Sequence, residues 1–459
     1  MPRTILVILD GLRRDLVTPQ TTPRLAAFAD RSEQFAAHRT VFPSCTRVVS
    51  ASLATGCHPA RHGLQGNTMA LMENGRLVRH DAGHPDFLQH KRRVTGRALA
   101  VPTLAECLTD SGGAVIFSNV SPGAAYAHDP DGFGRVYHRA GSFGRGRVPL
   151  PQDEQLRVTL DAEGDRAMTE RFIREAVLPQ SDPPALAVLW LGEPDATQHI
   201  LPMGSPGHLA VLEQADRNAG RVIDAVATLA DRDDVLLLIG SDHGHQTVAG
   251  VIDIDEELVA AGLKESTDST DVVVASNGTS ALLYVHPDFV ARTPLVGDFL
   301  ANQEWVDTVL DGSALASVGQ SRDHGLAFAV SMRASEEHNA YGVAGTSLVA
   351  ERAGGKADIL GSGQHGGLGA GEQAPFLMIE GTGFRRGAVR QEPSCIVDIA
   401  PTILAHLGLP VSGMDGRPLQ AAQEGPQWLR SNDDFGPGED VLLTAAGRSR
   451  VTSAVNRSP

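Results

Sequence analysis

Apolar residues along the chain gather in short runs that stop abruptly at acidic positions. Thr4–Leu9 (TILVIL), Ala185–Leu191 (ALAVLWL) and Val235–Ile239 (VLLLI) are nearly unbroken stretches of strand length. Such runs mark strands buried on both faces of a parallel sheet. Each leads into carboxylates: Asp10-Gly11, then Gly192-Glu193-Pro194-Asp195, then Ser241-Asp242-His243-Gly244. Elsewhere the period changes. His208–Leu229 carries apolar residues at helical spacing and predicts a long amphipathic helix. Thr22–Asp30 and Val101–Asp110 read as helices with a Thr cap signal and an early Pro. Strand, helix and strand in succession predict an α/β fold with a mostly parallel central sheet flanked by helices.

Other stretches break this pattern. Met69–Thr95 is polar, with His80, His84, His90 and the run Lys91-Arg92-Arg93, and residues 118–160 are rich in Gly, Arg and His. Both read as loops or insertions near a substrate. Short β-like runs (DVVVAS, ALLYVH, GLAFAVSM) within Ile252–Gly345 predict a smaller inserted α+β subdomain. The expected organisation is a core α/β part over 1–251, the insertion over 252–345, completion of the core over 346–420 and a peripheral polar tail over 421–459.

Composition narrows the function classes. A length of 459 residues exceeds what one simple core serves. The net charge of −16 argues against a nucleic-acid polymer as partner. An acidic enzyme still takes an anionic substrate when metal cations dominate its site. No segment reaches the roughly 18 apolar residues of a membrane span, and the Ile5–Leu9 run is too short for a signal-peptide core. A cytoplasmic protein without membrane association is therefore expected. Cys45, Cys57, Cys107 and Cys395 show no CxxC pairing and are expected to be free thiols. Homo-oligomerisation is left open.

Open α/β sheets bind ligands beyond the carboxyl ends of their strands, so Asp10, Asp195 and Asp242 are expected at one edge. Asp195-x-x-x-His199 puts a carboxylate and an imidazole on one helical face, a pair suited to zinc, although surface pairs share this spacing. Asp242 and His243 can turn into one cleft because Gly244 permits a tight turn; the alternative is Asp242 capping a helix over a packed His243. His365 lies in GSGQHGGLGAG, either a loop that approaches something closely or a surface loop. FPSCTRVVSASLATG predicts a helix from Thr46 to Gly56. A hydroxyl at a helix N-terminus sits in positive potential beside unpaired N–H groups, but Thr is also a common cap. Cys45 lacks a local His base, and neither a G-x-S-x-G elbow nor a P-loop ending is present.

Taken in order, these motifs resemble the alkaline phosphatase superfamily. They most resemble its nucleotide pyrophosphatase/type I phosphodiesterase branch, with phosphonoacetate hydrolases as related enzymes. ILDGLRRD, PSCTRVVSASLATGCHPARHGLQGNTM, EPDATQH, SDHG, GQHGG and IVDIAPTILAHLGLPVSGMDGRPL carry the resemblance, which covers most of residues 1–420. It implies an alkaline phosphatase-like fold and two divalent metal ions, zinc as the usual family ion and manganese as the alternative. One would be held by Asp195, His199 and His365, the other by Asp10, Asp242, His243 and the Thr46 oxygen. Thr46 would be the nucleophile and pass through a phospho-threonine. The branch usually follows its Thr with Phe-Pro-Asn, whereas Arg47-Val48-Val49 stands here. Arg47 then either replaces the Asn as phosphate donor or is an exposed helix-start residue. Arg47 and Asn67 are the expected substrate-binding residues. Gln198 replaces the Gly usual before the second ligand His, and His245 follows SDHG within reach of the outer ligand shell. At the nucleophile segment, Cys45-Thr46-Arg47-Val48-Val49 does not fit the sulfatase signature Cys-x-Pro/Ala-x-Arg. The expected function is hydrolysis of a small-molecule phosphate ester, diesters first. Phosphonate or monoester hydrolysis is the alternative, and a non-catalytic metal-binding scaffold the remote one.

Overall fold

The computed structural model describes residues 2–179, 182–351 and 357–420, so the expected tail over 421–459 lies outside the described residues. With elements numbered in chain order, the central sheet contains β1 (Arg3–Leu9), β2 (Glu33–Phe35), β6 (Ala114–Ser118), β7 (Arg135–Tyr137), β8 (Leu186–Leu191), β9 (Val235–Gly240), β18 (Leu377–Glu380) and β19 (Val389–Arg390). Its order is β19-β2-β18-β9-β1-β8-β6-β7. β1 runs parallel to β8 and β9, β8 to β6, and β6 to β7, while β18 is antiparallel to β9 and β2. The mostly parallel sheet read from the apolar runs is present.

Alternation along β1 explains why both faces are covered. Leu6 and Ile8 join a core with α2 (Thr46–Thr55), α5 (Leu104–Cys107), α6 (Pro122–Ala127) and α13 (Ile399–His406). Ile5, Val7 and Leu9 join a second core with α1 (Pro23–Ala29), α7 (Ala162–Phe172) and α9 (Pro206–Ala227). Each such side chain contributes about 1.5–3 kcal/mol when withdrawn from water. That driving force fixes which face each helix covers.

Two four-stranded sheets complete the fold. β11 (Val272–Ser276), β12 (Ser280–Val285), β13 (Val306–Asp311) and β14 (Leu326–Met332) form an antiparallel sheet in the order β11-β12-β14-β13. It shares an apolar cluster with α10 (Ile254–Ala260) and α11 (Thr293–Ala301). β10 (Gln246–Ile252), β15 (Ala334–His338), β16 (Ala344–Ala350) and β17 (Gly363–Gln364) form the other. β3 (His38–Arg39) pairs with β20 (Ser394–Cys395), and β4 (Thr68–Glu73) with β5 (Arg76–Asp81). The short helices α3 (Pro59–His62), α8 (Asp195–Gln198) and α12 (Ala314–Ser317) and the longer α4 (Phe87–Thr95) fill the connections.

The Met69–Thr95 stretch is not a loop. It is the β4–β5 hairpin followed by α4, with Met69, Ala70, Leu71 and Leu77 buried. Asn74 and Gly75 take φ of 49° and 77°, the left-handed pair that a two-residue hairpin turn needs. Residues 118–160 likewise contain α6 and β7, and the helix expected over Val101–Asp110 contracts to α5. Among the described residues no helix is long and apolar enough to cross a membrane. No disulfide joins the four cysteines.

Candidate active site

Parallel register brings three carboxylates to one edge. Ile8 pairs with Trp190 on one side and Gly240 on the other, so the chain leaves β1, β8 and β9 at the same level. Asp195 N donates to Asp10 O at 3.2 Å, and Gly11 N donates to Asp242 Oδ1 at 2.9 Å. The buried carboxylate of Asp165 receives Gly192 N and Glu193 N at 3.1 and 2.9 Å, which shapes the turn that presents Asp195.

Two sets of side chains converge there. Asp195 Oδ1 lies 3.4 Å from His199 Nε2, 3.1 Å from His245 Nε2 and 3.6 Å from His365 Nε2. His243 Nε2 lies 3.1 Å from Asp242 Oδ2, 3.5 Å from Asp10 Oδ1 and 3.1 Å from Thr46 Oγ1. The sets abut where the rings of His243 and His365 stack at 3.7 Å. All seven residues expected as ligands, Thr46 among them, are thus gathered in one place. His245 is added to them; its side chain belongs in the Asp195 set rather than behind it.

The hydrogen bonds reveal what this arrangement accommodates. His365 Nδ1 meets Ser44 O at 2.7 Å, His243 Nδ1 meets Gly244 O at 3.0 Å, and His245 Nδ1 meets Gly11 O at 3.4 Å. A carbonyl only accepts, so each Nδ1 carries the proton and donates it. That leaves His245 and His365 each with an Nε2 lone pair aimed into the cluster, the orientation of metal-ligating histidines, while at His243 burial is outweighed by Asp242, which raises the ring above its ordinary value. Burial pushes His245 down to about 4, and burial with the neighbouring His243 and His245 holds His365 well below its ordinary value. Opposite these lone pairs stand carboxylate oxygens. Asp10 Oδ1, Asp195 Oδ1, Asp242 Oδ2 and His245 Nε2 are buried with no hydrogen-bond partner among the described residues. Burial, then Asp242 and Asp195, push the Asp10 carboxyl well above its ordinary range. Lone pairs facing lone pairs in a buried space are unfavourable unless a cation lies between them. The two sets fit divalent ions on that ground, and their mixed nitrogen and oxygen donors suit zinc or its neighbours.

Thr46 is the first residue of α2, and Cys45, not Thr46, holds the cap position. Gly56 ends the helix in the left-handed conformation at φ 66°. Thr46 lines a cavity of about 780 Å³ together with Asp10, Arg47, Asn67, Asp195, His199 and His365. Arg47 is not an exposed helix-start residue. Its guanidinium donates to Ser121 Oγ at 3.1 Å and Asn67 O at 3.2 Å, and pairs with Asp81 at 3.2 Å. Asn67 Oδ1 receives Arg47 N at 3.1 Å, so Asn67 braces the first turn of α2. Lys91 instead donates to Ala98 O, and Arg92 pairs with Asp131.

Several supporting residues escaped the sequence reading. Trp190 Nε1 donates to Asp10 Oδ2 at 2.9 Å. Glu372, buried, accepts from Gly367 N, Gly369 N, Thr279 Oγ1 and Ser44 Oγ, and so shapes the glycine loop behind His365. Gln198 Nε2 donates to Gly11 O at 3.0 Å. Of these, Gln198 was noted only as a departure from the usual Gly, and Glu372 left a trace as an acidic residue beside a glycine-rich run.

A family model described as type I phosphodiesterase/nucleotide pyrophosphatase matches residues 4–295. Among solved structures, murine ectonucleotide pyrophosphatase/phosphodiesterase 5, an inactive variant in complex with AMP, is similar at 18% identity and a TM-score of 0.65, covering 91% of this chain and 97% of that one. The murine protein without that description gives 19% identity and a TM-score of 0.64 over 93% of this chain and 98% of that one. The human counterpart gives 18% and 0.60 over 90% of this chain and 97% of that one. No curated protein sequence matches.

Proposed function

Because the chain belongs to the type I phosphodiesterase/nucleotide pyrophosphatase family, and so is a phosphoester hydrolase, we propose that it cleaves phosphodiesters through a covalent intermediate on Thr46 with two divalent metal ions, zinc first and manganese as the alternative. The observation that carries this reading is the Thr46 hydroxyl. It stands at the start of a helix, 3.1 Å from His243 Nε2, on the wall of a cavity that Asp10, Asp195, His199 and His365 also line.

Asp195, His199, His245 and His365 would hold one ion, and Asp10, Asp242 and His243 the other. Bound there, the ions would lower the pKa of the nucleophile and neutralise charge on the phosphoryl and leaving oxygens. Thr46 Oγ1 attacks phosphorus as the bond to the leaving oxygen breaks, and water then hydrolyses the phospho-threonine. The N–H groups at the start of α2 and the Arg47 guanidinium orient the phosphoryl oxygens. Positioning and charge neutralisation are what phosphoryl transfer mainly demands.

The cavity's charges favour diesters over dianionic substrates. Arg47 and Arg139 line the cavity with Asp81 and Asp358, so these charges cancel and leave no surplus cation for a second negative charge. A diester carries one negative charge at its phosphorus group; a monoester or a phosphonoacetate-like substrate carries more. The AMP complex of the murine relative makes nucleotide esters sensible members of a test panel.

Hydrolysis of an aryl phosphodiester, a phosphomonoester and a phosphonate should be compared on metal-quantified protein. Diester turnover should lead, disappear with a chelator and return with zinc. Thr46→Ala should lower it by about a thousandfold or more, and full turnover in that variant would remove Thr46 as nucleophile. Preference for phosphonate or monoester would shift the reading to those substrates, and bound metal with no hydrolysis across the panel would indicate a scaffold without catalysis.

A further inference from the structure

Away from the cavity, one more set of carboxylate and imidazole groups converges. Glu73 ends β4, His80 lies on β5 and His90 on α4. Glu73 Oε1 stands 2.5 Å from His80 Nε2 and 2.9 Å from His90 Nε2. One ligand atom from each of the three lies within 4.8 Å of the others. The two rings are 4.8 Å apart and tilted by 41°, so both Nε2 atoms address one carboxylate oxygen from different directions. The side chains are 17%, 20% and 32% exposed for Glu73, His80 and His90. All three side chains are partly buried yet reach solvent, which gives an ion a way in.

We infer that Glu73, His80 and His90 form a third divalent-metal site, of zinc character, that fixes the wall of the substrate cavity. Two imidazoles and one carboxylate make a donor set typical of zinc with a fourth position left for water. None of the three lines the cavity, so an ion there would act on the fold around the cavity and not on the substrate. Its three ligands come from three elements and enclose the turn between His80 and Phe87. That turn carries Asp81, Gly83 and His84 to the cavity. Asp81 pairs with Arg47 and receives Gly83 N at 2.8 Å. An ion clipping the hairpin to α4 would hold this turn in place, as structural metals do where a small element cannot bury enough apolar surface.

Without a metal, the same residues are two imidazole N–H groups donating to Glu73, and zinc counting separates the two. Chelator-stripped full-length protein is titrated with zinc by calorimetry, and metal content is measured after dialysis. Wild type should hold one more zinc ion per chain than either His90→Asn or Glu73→Gln. Both changes are modest and lie on partly buried side chains, and circular dichroism confirms that each variant is folded. An Asp195→Ala/Asp242→Ala background impairs the catalytic centre. There one zinc-dependent rise in melting temperature should persist and vanish on adding His90→Asn. Equal zinc content in wild type and both folded variants, or a rise untouched by His90→Asn, overturns the site whatever the outcome at Thr46.

Discussion

Arg47 follows the nucleophile candidate directly, and its guanidinium is held by Ser121, Asn67 and Asp81 at the cavity wall. A planar cation held in place from outside loses little entropy when it meets a phosphate oxygen. Arg47→Ala removes a charge-assisted hydrogen bond worth about 1.5–3 kcal/mol, so kcat/KM for a diester should fall by roughly ten- to a hundredfold. Metal content should stay at the wild-type level, because Arg47 belongs to neither set of Asp and His side chains. Steady-state kinetics on metal-quantified protein checks both. An unchanged kcat/KM would leave Arg47 as a structural partner of Asp81 only.

Glycines in two elements carry opposite expectations. Gly366 follows His365 with φ 131°, and a Cβ there would fall 1.7 Å from Asn277 O. Gly366→Ala must displace the loop and with it His365, so activity should drop by more than about a hundredfold, with a lower melting temperature. Gly75, in the hairpin turn, has φ 77° and no described atom within 4 Å of a built Cβ. Gly75→Ala should cost only about 1 kcal/mol in denaturant unfolding and leave turnover intact. What the sequence showed of these elements follows the same physics. Asp10, Asp195 and Asp242 were legible because a buried strand ending at an acid is a local pattern. Thr46 needed the helix start and Gly56 as its stop. The β4–β5 hairpin was missed although Asn74-Gly75 is its local signal, because the charges and histidines around it drew the reading toward a loop. His245 was legible from its place after SDHG, though only as an outer-shell residue; Trp190, Asp165 and Glu372 act through partners more than 20 residues away or through loop packing, so no spacing announced them.

At the scale of the whole molecule, buried neutral histidines make stability depend on pH. His62, on α3, is fully buried; Leu64 N donates to its Nδ1 at 3.1 Å, and its Nε2 donates to Ser52 Oγ at 2.9 Å. Burial and then Lys91 push His62 down to about 3, from 6.5. Between those values the unfolded chain takes a proton that the folded chain refuses. Its contribution is therefore full above pH 6.5 and is lost as pH falls toward 3. Between pH 7 and 5 this amounts to about 2 kcal/mol. His62→Gln should lower stability at pH 7 yet shrink the pH 7-to-5 difference by about that amount in urea unfolding. An unaltered pH dependence would show that His62 is protonated in the folded chain.

The Ser44 carbonyl that receives His365 Nδ1 lies 321 positions away from it, and Gly11 reaches Asp242 across 231. During synthesis Thr46 and the strand-end carboxylates emerge long before His365. A chain stopped just before β10 would carry Thr46, Asp10, Asp195 and Asp242 but would lack His365. On the proposed mechanism, hydrolysis would therefore wait until the glycine loop that carries His365 has been made and folded against Ser44.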